Sequence, residues 1–178
     1  MTLEVIIVVA IRIAGSLPVL RWPFWGGVLA ILVDLSDLLL FDVLDLGGVP
    51  DYQALDKWLD QVYLAAFLVV ALRWSDPARA IAVGLYLFRL VGFVAFELTG
   101  ERAILLAFPN VFEVWFLLVA WVGDAAVARW SMARLALIGA VLVLVKLVQE
   151  WALHGARLFD DIGALEAVDV VRRWILGG

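Results

Sequence analysis

The sequence predicts an all-α, polytopic membrane bundle of about six transmembrane helices, followed by a C-terminal amphipathic helix. Three observations lead there. First, 66% of the 178 residues are hydrophobic and the mean hydropathy is +1.05, whereas a soluble domain is about 45–50% apolar. One small core cannot hide that excess, so it has to face lipid. Second, the apolar residues fall into segments of roughly 20 residues, the length that crosses the hydrocarbon of a bilayer, with turn-forming clusters between them. Third, Trp22, Trp25, Trp58, Trp74, Trp121, Trp130, Trp151 and Trp174 lie at segment ends or in the tail, and only Trp115 lies inside a segment. Indole rings settle at headgroup level, so this distribution marks the ends of spans.

The first span is expected over Leu3 to Leu20, with Arg12, Ser16 and Pro18 inside it. Glu4 and the lack of a basic stretch before the apolar run argue for a retained span over a cleaved leader. The Arg21–Pro23 connection leads to the second span, Phe24 to Leu46, ended by Gly47 and Gly48 in the turn sequence GGVPDYQ. The third runs from Ala54 to Trp74 and is broken by Ser75-Asp76-Pro77-Ala78; the fourth runs from Arg79 to Thr99 and stops at Gly100. The fifth, Ala103 to Gly123, contains Pro109-Asn110 and should kink there, because proline removes a donor and crowds the preceding turn. The sixth runs from Ser131 to His154. Residues 1–154 thus form the bundle and 155–178 a tail. In the tail Leu158, Ile162, Leu165, Val168, Val171 and Ile175 recur at helical spacing among charged residues, the pattern of a helix lying at the interface. Arg21, Arg73, Arg79, Arg129 and Arg134 flank the loops on one side, which short-loop counting places in the cytoplasm; including the basic residues of the tail evens the balance.

Composition also removes chemistries. Without cysteine there are no disulfides, thiolate nucleophiles or thiolate metal sites. With His154 as the only histidine, multi-histidine metal sites and bis-histidine haem within one chain are impossible. A net charge of −5 without a basic stripe leaves no footprint for nucleic acid. The expected partner is the lipid bilayer, together with further copies of this chain or subunits of a membrane complex, and the expected location is the cell inner membrane.

Charges inside spans are costly and therefore mark candidate sites. Arg12 lies in the first span, Asp34, Asp37, Asp42 and Asp45 in the second, Arg89 and Glu97 in the fourth, Glu113 in the fifth, and Lys146 and Glu150 in the sixth. At about 100° per residue the four aspartates of the second span occupy an arc of roughly 140°, one acidic stripe. Asp56, Asp60 and Tyr63 share a face at the start of the third span, across the GGVP turn. Arg12, Arg89 and Lys146 are the expected counter-charges, with Arg89 paired to Asp34 or Asp37 and Lys146 to Glu113 or Glu150. Three cations against the five acids Asp34, Asp37, Glu97, Glu113 and Glu150 leave acid over. The surplus calls for a bound cation, raised pKa values or water. Asp34, Asp37, Asp42, Glu97, Glu113 and Glu150 are thus the expected cation or proton site.

The acidic positions also resemble a known family. Asp34-x2-Asp37 and Asp56-x3-Asp60 reproduce the spacing of the four aspartates of CDP-alcohol phosphatidyltransferases, six-helix membrane enzymes whose motif joins the second and third helices. The resemblance implies a divalent cation such as Mg²⁺ held by Asp34, Asp37, Asp56 and Asp60, and transfer of a phosphate-linked group to a lipid substrate. Leu38, Phe41-Asp42 and Tyr52 stand where the family has glycine, Ala-Arg and glycine. An aspartate in the place of that arginine would repel a nucleotide's phosphates. Three functions follow as expectations: binding or movement of a cation, proton or small solute through a net-acidic interior; a metal-dependent phosphotransferase; or an accessory subunit whose charges lock helices together. Charge spread over five helices favours the first, with no cofactor required.

Overall fold

The computed structural model describes residues 3–36, 52–101 and 103–150. Among them the chain is helical throughout, with no strand. Helix α1 spans Leu3–Ser16 and tightens into a 3-10 turn at Leu17–Leu20, where Pro18 supplies no backbone N–H to continue the α-helical ladder. Helix α2 spans Pro23–Leu35, opening on a proline, the residue best suited to a first helical position. The 3-10 turn lies directly on the start of α2. A Cβ on Gly26 would stand 2.3 Å from the Val19 nitrogen, so the crossing requires glycine there.

Helix α3 spans Tyr52–Ala71, α4 Ala78–Thr99, α5 Ala103–Ala107, α6 Val111–Val122, α7 Asp124–Val127 and α8 Met132–Glu150. Gly100 ends α4 in the left-handed conformation (φ 70°) and donates its N–H back to the Phe96 carbonyl, the usual C-terminal stop. The boundaries of the first, third, fourth and sixth expected spans agree with α1 plus its turn, α3, α4 and α8 to within a few residues. The second agrees at its start. The remainder of that segment, the tail and His154 lie outside the described residues.

The core is built around α6, which packs against α2, α3, α4 and α8. Phe112, Trp115, Phe116 and Val119 are buried along it. Phe116 stacks on Phe67 of α3, ring centres 4.0 Å apart, and on Trp74 at 5.3 Å. Trp115, the tryptophan expected inside a span, is a core residue whose indole N–H donates to the Ala78 carbonyl at 3.2 Å. Trp22, Trp25, Trp58 and Trp121 are exposed.

Three helical segments among the described residues are long and apolar enough to cross a membrane, fewer than the six expected: Ala78–Thr99, Ala103–Val122 and Met132–Gln149. This is consistent with a membrane protein. Val5–Leu20 and Pro23–Leu35 are apolar but shorter, and α3 carries Asp56, Lys57 and Asp60 in its first half. The three segments differ sharply in their surroundings: 50% of Ala103–Val122 is buried inside the protein, against 22% and 11% for the other two. The central span is also the broken one.

Candidate functional site

The central span is interrupted by Phe108-Pro109-Asn110, so that α5 ends at Ala107 and α6 begins at Val111. Proline accounts for the interruption expected from sequence, since it cannot donate to the helical ladder. Irregular backbone at membrane depth is tolerated only where protein or a water-lined cavity satisfies it, and polar side chains gather at this one. Glu113, in the first turn of α6, is buried. One carboxylate oxygen accepts from the Tyr63 hydroxyl at 3.0 Å and from the Asn110 amide at 3.0 Å; the other accepts from the Lys146 ammonium at 3.2 Å. Asn110 also donates to the Tyr63 oxygen at 3.3 Å, and Lys146 to Gln149 at 3.1 Å. Three side chains, from α3, the α6 N-cap and α8, thus meet on one carboxylate of α6. A negative charge in the first turn of α6 is further favoured by the helix dipole.

Arg89 of α4 reaches the same interruption. Its Nη1 donates to the Phe108 carbonyl at 2.8 Å. Phe108 is held close by Gly92, one turn along α4, where a Cβ would stand only 2.3 Å from the Phe108 Cβ. Arg89 is also near enough to Tyr63 to act on it electrostatically.

A second cluster joins α1, α2 and α3. The buried Arg12 guanidinium pairs with Asp34 and lies 3.6 Å from Asp60, and Lys57 reaches Asp60 at 3.3 Å. The helices touch closely there: a Cβ on Gly15 would stand 2.9 Å from Val33. Ser16, one turn beyond Arg12, donates to the Arg12 carbonyl at 2.7 Å and so serves its own helix.

Several expectations are corrected by this arrangement. Arg89 does not pair with Asp34, which belongs to Arg12; its place on α4 directs it to the broken span. Glu97 is exposed and accepts a hydrogen bond from the Trp58 indole at 3.2 Å, because it sits near the end of α4, away from the interior. Lys146 pairs with Glu113, one of its two expected partners. Asp37 and Asp42 lie outside the described residues, as do the side chains of Asp56 and Glu150. Among the described side chains Arg12, Lys57, Arg89 and Lys146 stand with Asp34, Asp60 and Glu113 in these two clusters, while the balance expected from sequence also involves Asp37 and Glu150.

Two members of the site carry no charge and were not among the candidate site residues. Tyr63 shares a face with Asp60 one turn earlier on α3. The available signal for Asn110 was its place directly after a proline inside an apolar span, three residues before a glutamate. No group of three or more histidine, aspartate or glutamate side chains able to hold a metal occurs among the described residues. Of the four aspartates with phosphatidyltransferase spacing, Asp34 and Asp60 converge on Arg12, whose charge a divalent cation would have to overcome. No protein-family model, no curated protein and no solved structure matches this chain, and the resemblance to that family rests on the four acidic positions alone.

Proposed function

We propose that this chain is a multi-pass protein of the cell inner membrane, with about six spans, that moves a proton together with a small solute through the cluster around Glu113. One observation carries the reading: a buried carboxylate held by Tyr63, Asn110 and Lys146 sits at the interruption of the most buried span. Buried ionisable groups within spans mark proton relays and substrate paths, and discontinuous helices form binding sites near the bilayer midplane in many transporters. Glu113 is the group assigned to carry the proton. As a carboxylate it pairs with Lys146; protonated, it frees Lys146 and keeps acceptor capacity for Tyr63 and Asn110.

The test is proton movement into proteoliposomes loaded with a pH-sensitive dye, under an imposed pH gradient and with small solutes supplied on the acidic side. Wild-type protein should dissipate the gradient, and Glu113→Gln should fall to the rate of empty vesicles. A Glu113→Gln protein as fast as wild type sinks the reading. A second role is favoured by a specific observation, the placing of two carboxylates on Arg12 beside a close approach of α1 to α2. That cluster is assigned to holding helices in register. A divalent-metal phosphotransferase is the alternative for the Asp34–Asp60 region. Release of CMP from CDP-diacylglycerol in the presence of Mg²⁺ would establish it in place of transport.

A further inference from the structure

Among the described residues Arg89 is a cation without an acid. Its side chain is 5% exposed, one nitrogen donates to the Phe108 carbonyl, and its buried Nε has no hydrogen-bond partner. The interior acids among the described residues are engaged elsewhere: Asp34 and Asp60 with Arg12, Asp60 also with Lys57, and Glu113 with Lys146, Tyr63 and Asn110. A guanidinium keeps its charge under all ordinary conditions, so it cannot relieve its burial by losing a proton. A buried charge whose partner is missing costs on the scale of a broken buried salt bridge.

The break beside Arg89 has further unused capacity. Asn110 precedes α6 but makes no side-chain capping bond to it. Its amide hydrogens go to Glu113 and Tyr63, and its buried Oδ1 has no partner. The start of α6, a 12-residue helix, therefore lacks a side-chain cap in the middle of an apolar segment long enough to cross a membrane. Helix starts present N–H groups and a partial positive charge. A bare guanidinium edge, an uncapped helix start and an unused acceptor thus flank one three-residue interruption.

We infer that Arg89 and the Phe108–Asn110 break form the binding site for a small carboxylate, which docks on the Nε edge of the guanidinium. That edge is planar and suits two parallel N–H···O bonds to a carboxylate. A hydroxyl or amine on the same molecule could donate to the Asn110 Oδ1. The inference rests on the transport reading and names its solute class: an anion on Arg89 travels with the proton on Glu113, and the pair together crosses with no net charge. The close seat of Phe108 on Gly92 fixes the carbonyl that holds Arg89 in place.

The experiment measures thermal unfolding of the full chain in detergent at constant ionic strength, titrated with acetate, lactate or chloride. Wild-type protein should show a saturable rise in unfolding temperature with a carboxylate and none with chloride. Arg89→Lys, which keeps the charge and loses the fork, should weaken binding by about tenfold or more, on the scale of one charge-assisted hydrogen bond. Arg89→Gln should abolish it. Glu113→Gln should still bind. The assignment is overturned if neither carboxylate shifts the wild type, if chloride binds as tightly, or if Arg89→Lys binds like wild type. The wild-type titration decides even if the Arg89 variants do not fold. Carboxylate binding with no proton movement in vesicles would leave this site standing and remove the transport reading; proton movement with no carboxylate binding would do the reverse.

Discussion

The two buried charge clusters are built from the same kinds of residue and differ in how their charges are closed off. Around Arg12 one guanidinium faces two carboxylates, with Lys57 adding a second cation to Asp60, on regular helices in close contact. Around Glu113 one carboxylate gathers three neighbours of mixed type, Tyr63, Asn110 and Lys146, at a helix interruption, and the adjacent Arg89 Nε and Asn110 Oδ1 have no hydrogen-bond partner among the described residues. In the first arrangement two carboxylates share a permanently charged guanidinium. In the second a single carboxylate divides its two oxygens between an ammonium and two neutral donors. The two clusters thus differ in setting: one joins uninterrupted helices at close approach, and the other gathers at a broken backbone.

That contrast can be tested, beginning where the effect should be largest. Arg12→Met leaves Asp34 and Asp60 without their shared cation and should cost about 3–5 kcal/mol, the scale of breaking a buried pair by removing one partner. Unfolding by denaturant in mixed micelles would measure it, and a loss under about 1 kcal/mol would show that the cluster is not a lock. Gly92→Ala should cost about 1–3 kcal/mol, because its Cβ would press Phe108 off α4. It should also weaken carboxylate binding by moving the carbonyl that positions Arg89. Tyr63→Phe removes one hydrogen bond to Glu113 and should cost about 1 kcal/mol. Its proton movement should slow far more than that small destabilisation would suggest; unchanged flux would remove Tyr63 from the relay.

The smallest effect lies outside both clusters. The Ser75 backbone N–H and hydroxyl donate to Asp124 at 2.8 and 2.7 Å and hold its carboxyl below the usual value of 3.8. The folded pKa is depressed, so the stabilisation is present above that unfolded value and is lost as pH falls through the folded one. Asp124 is largely solvated, and the change should be slight. A Ser75→Ala protein should unfold at a slightly lower temperature than wild type near neutral pH and at the same temperature once Asp124 is protonated, so its curve against pH is the flatter of the two.

Hydropathy and turn chemistry made most of the fold legible. Gly100 stops α4, Pro77 stands just before it, and Pro109 breaks the central span, all as their backbone preferences require. The charged members of both clusters were visible for the same reason, since a charge in an apolar segment stands out. Pairing was not. Arg89 could have met Asp34 on periodicity alone, but which helix face meets which depends on packing, and α6 rather than α2 lies beside it. Glu97 looked internal because position along a span does not give position around it. Tyr63 and Asn110 were hidden for a simpler reason. Neutral polar residues are common at helix ends, and only their convergence on one carboxylate sets these two apart.

Proton movement measured side by side for Asp34→Asn and Glu113→Gln in proteoliposomes tests the central claim most directly. Each exchange removes one negative charge from one cluster at almost constant shape. The account predicts that Asp34→Asn loses stability but carries protons at close to the wild-type rate, while Glu113→Gln inserts normally and carries none. Equal loss of flux in both, or loss in Asp34→Asn alone, would contradict it.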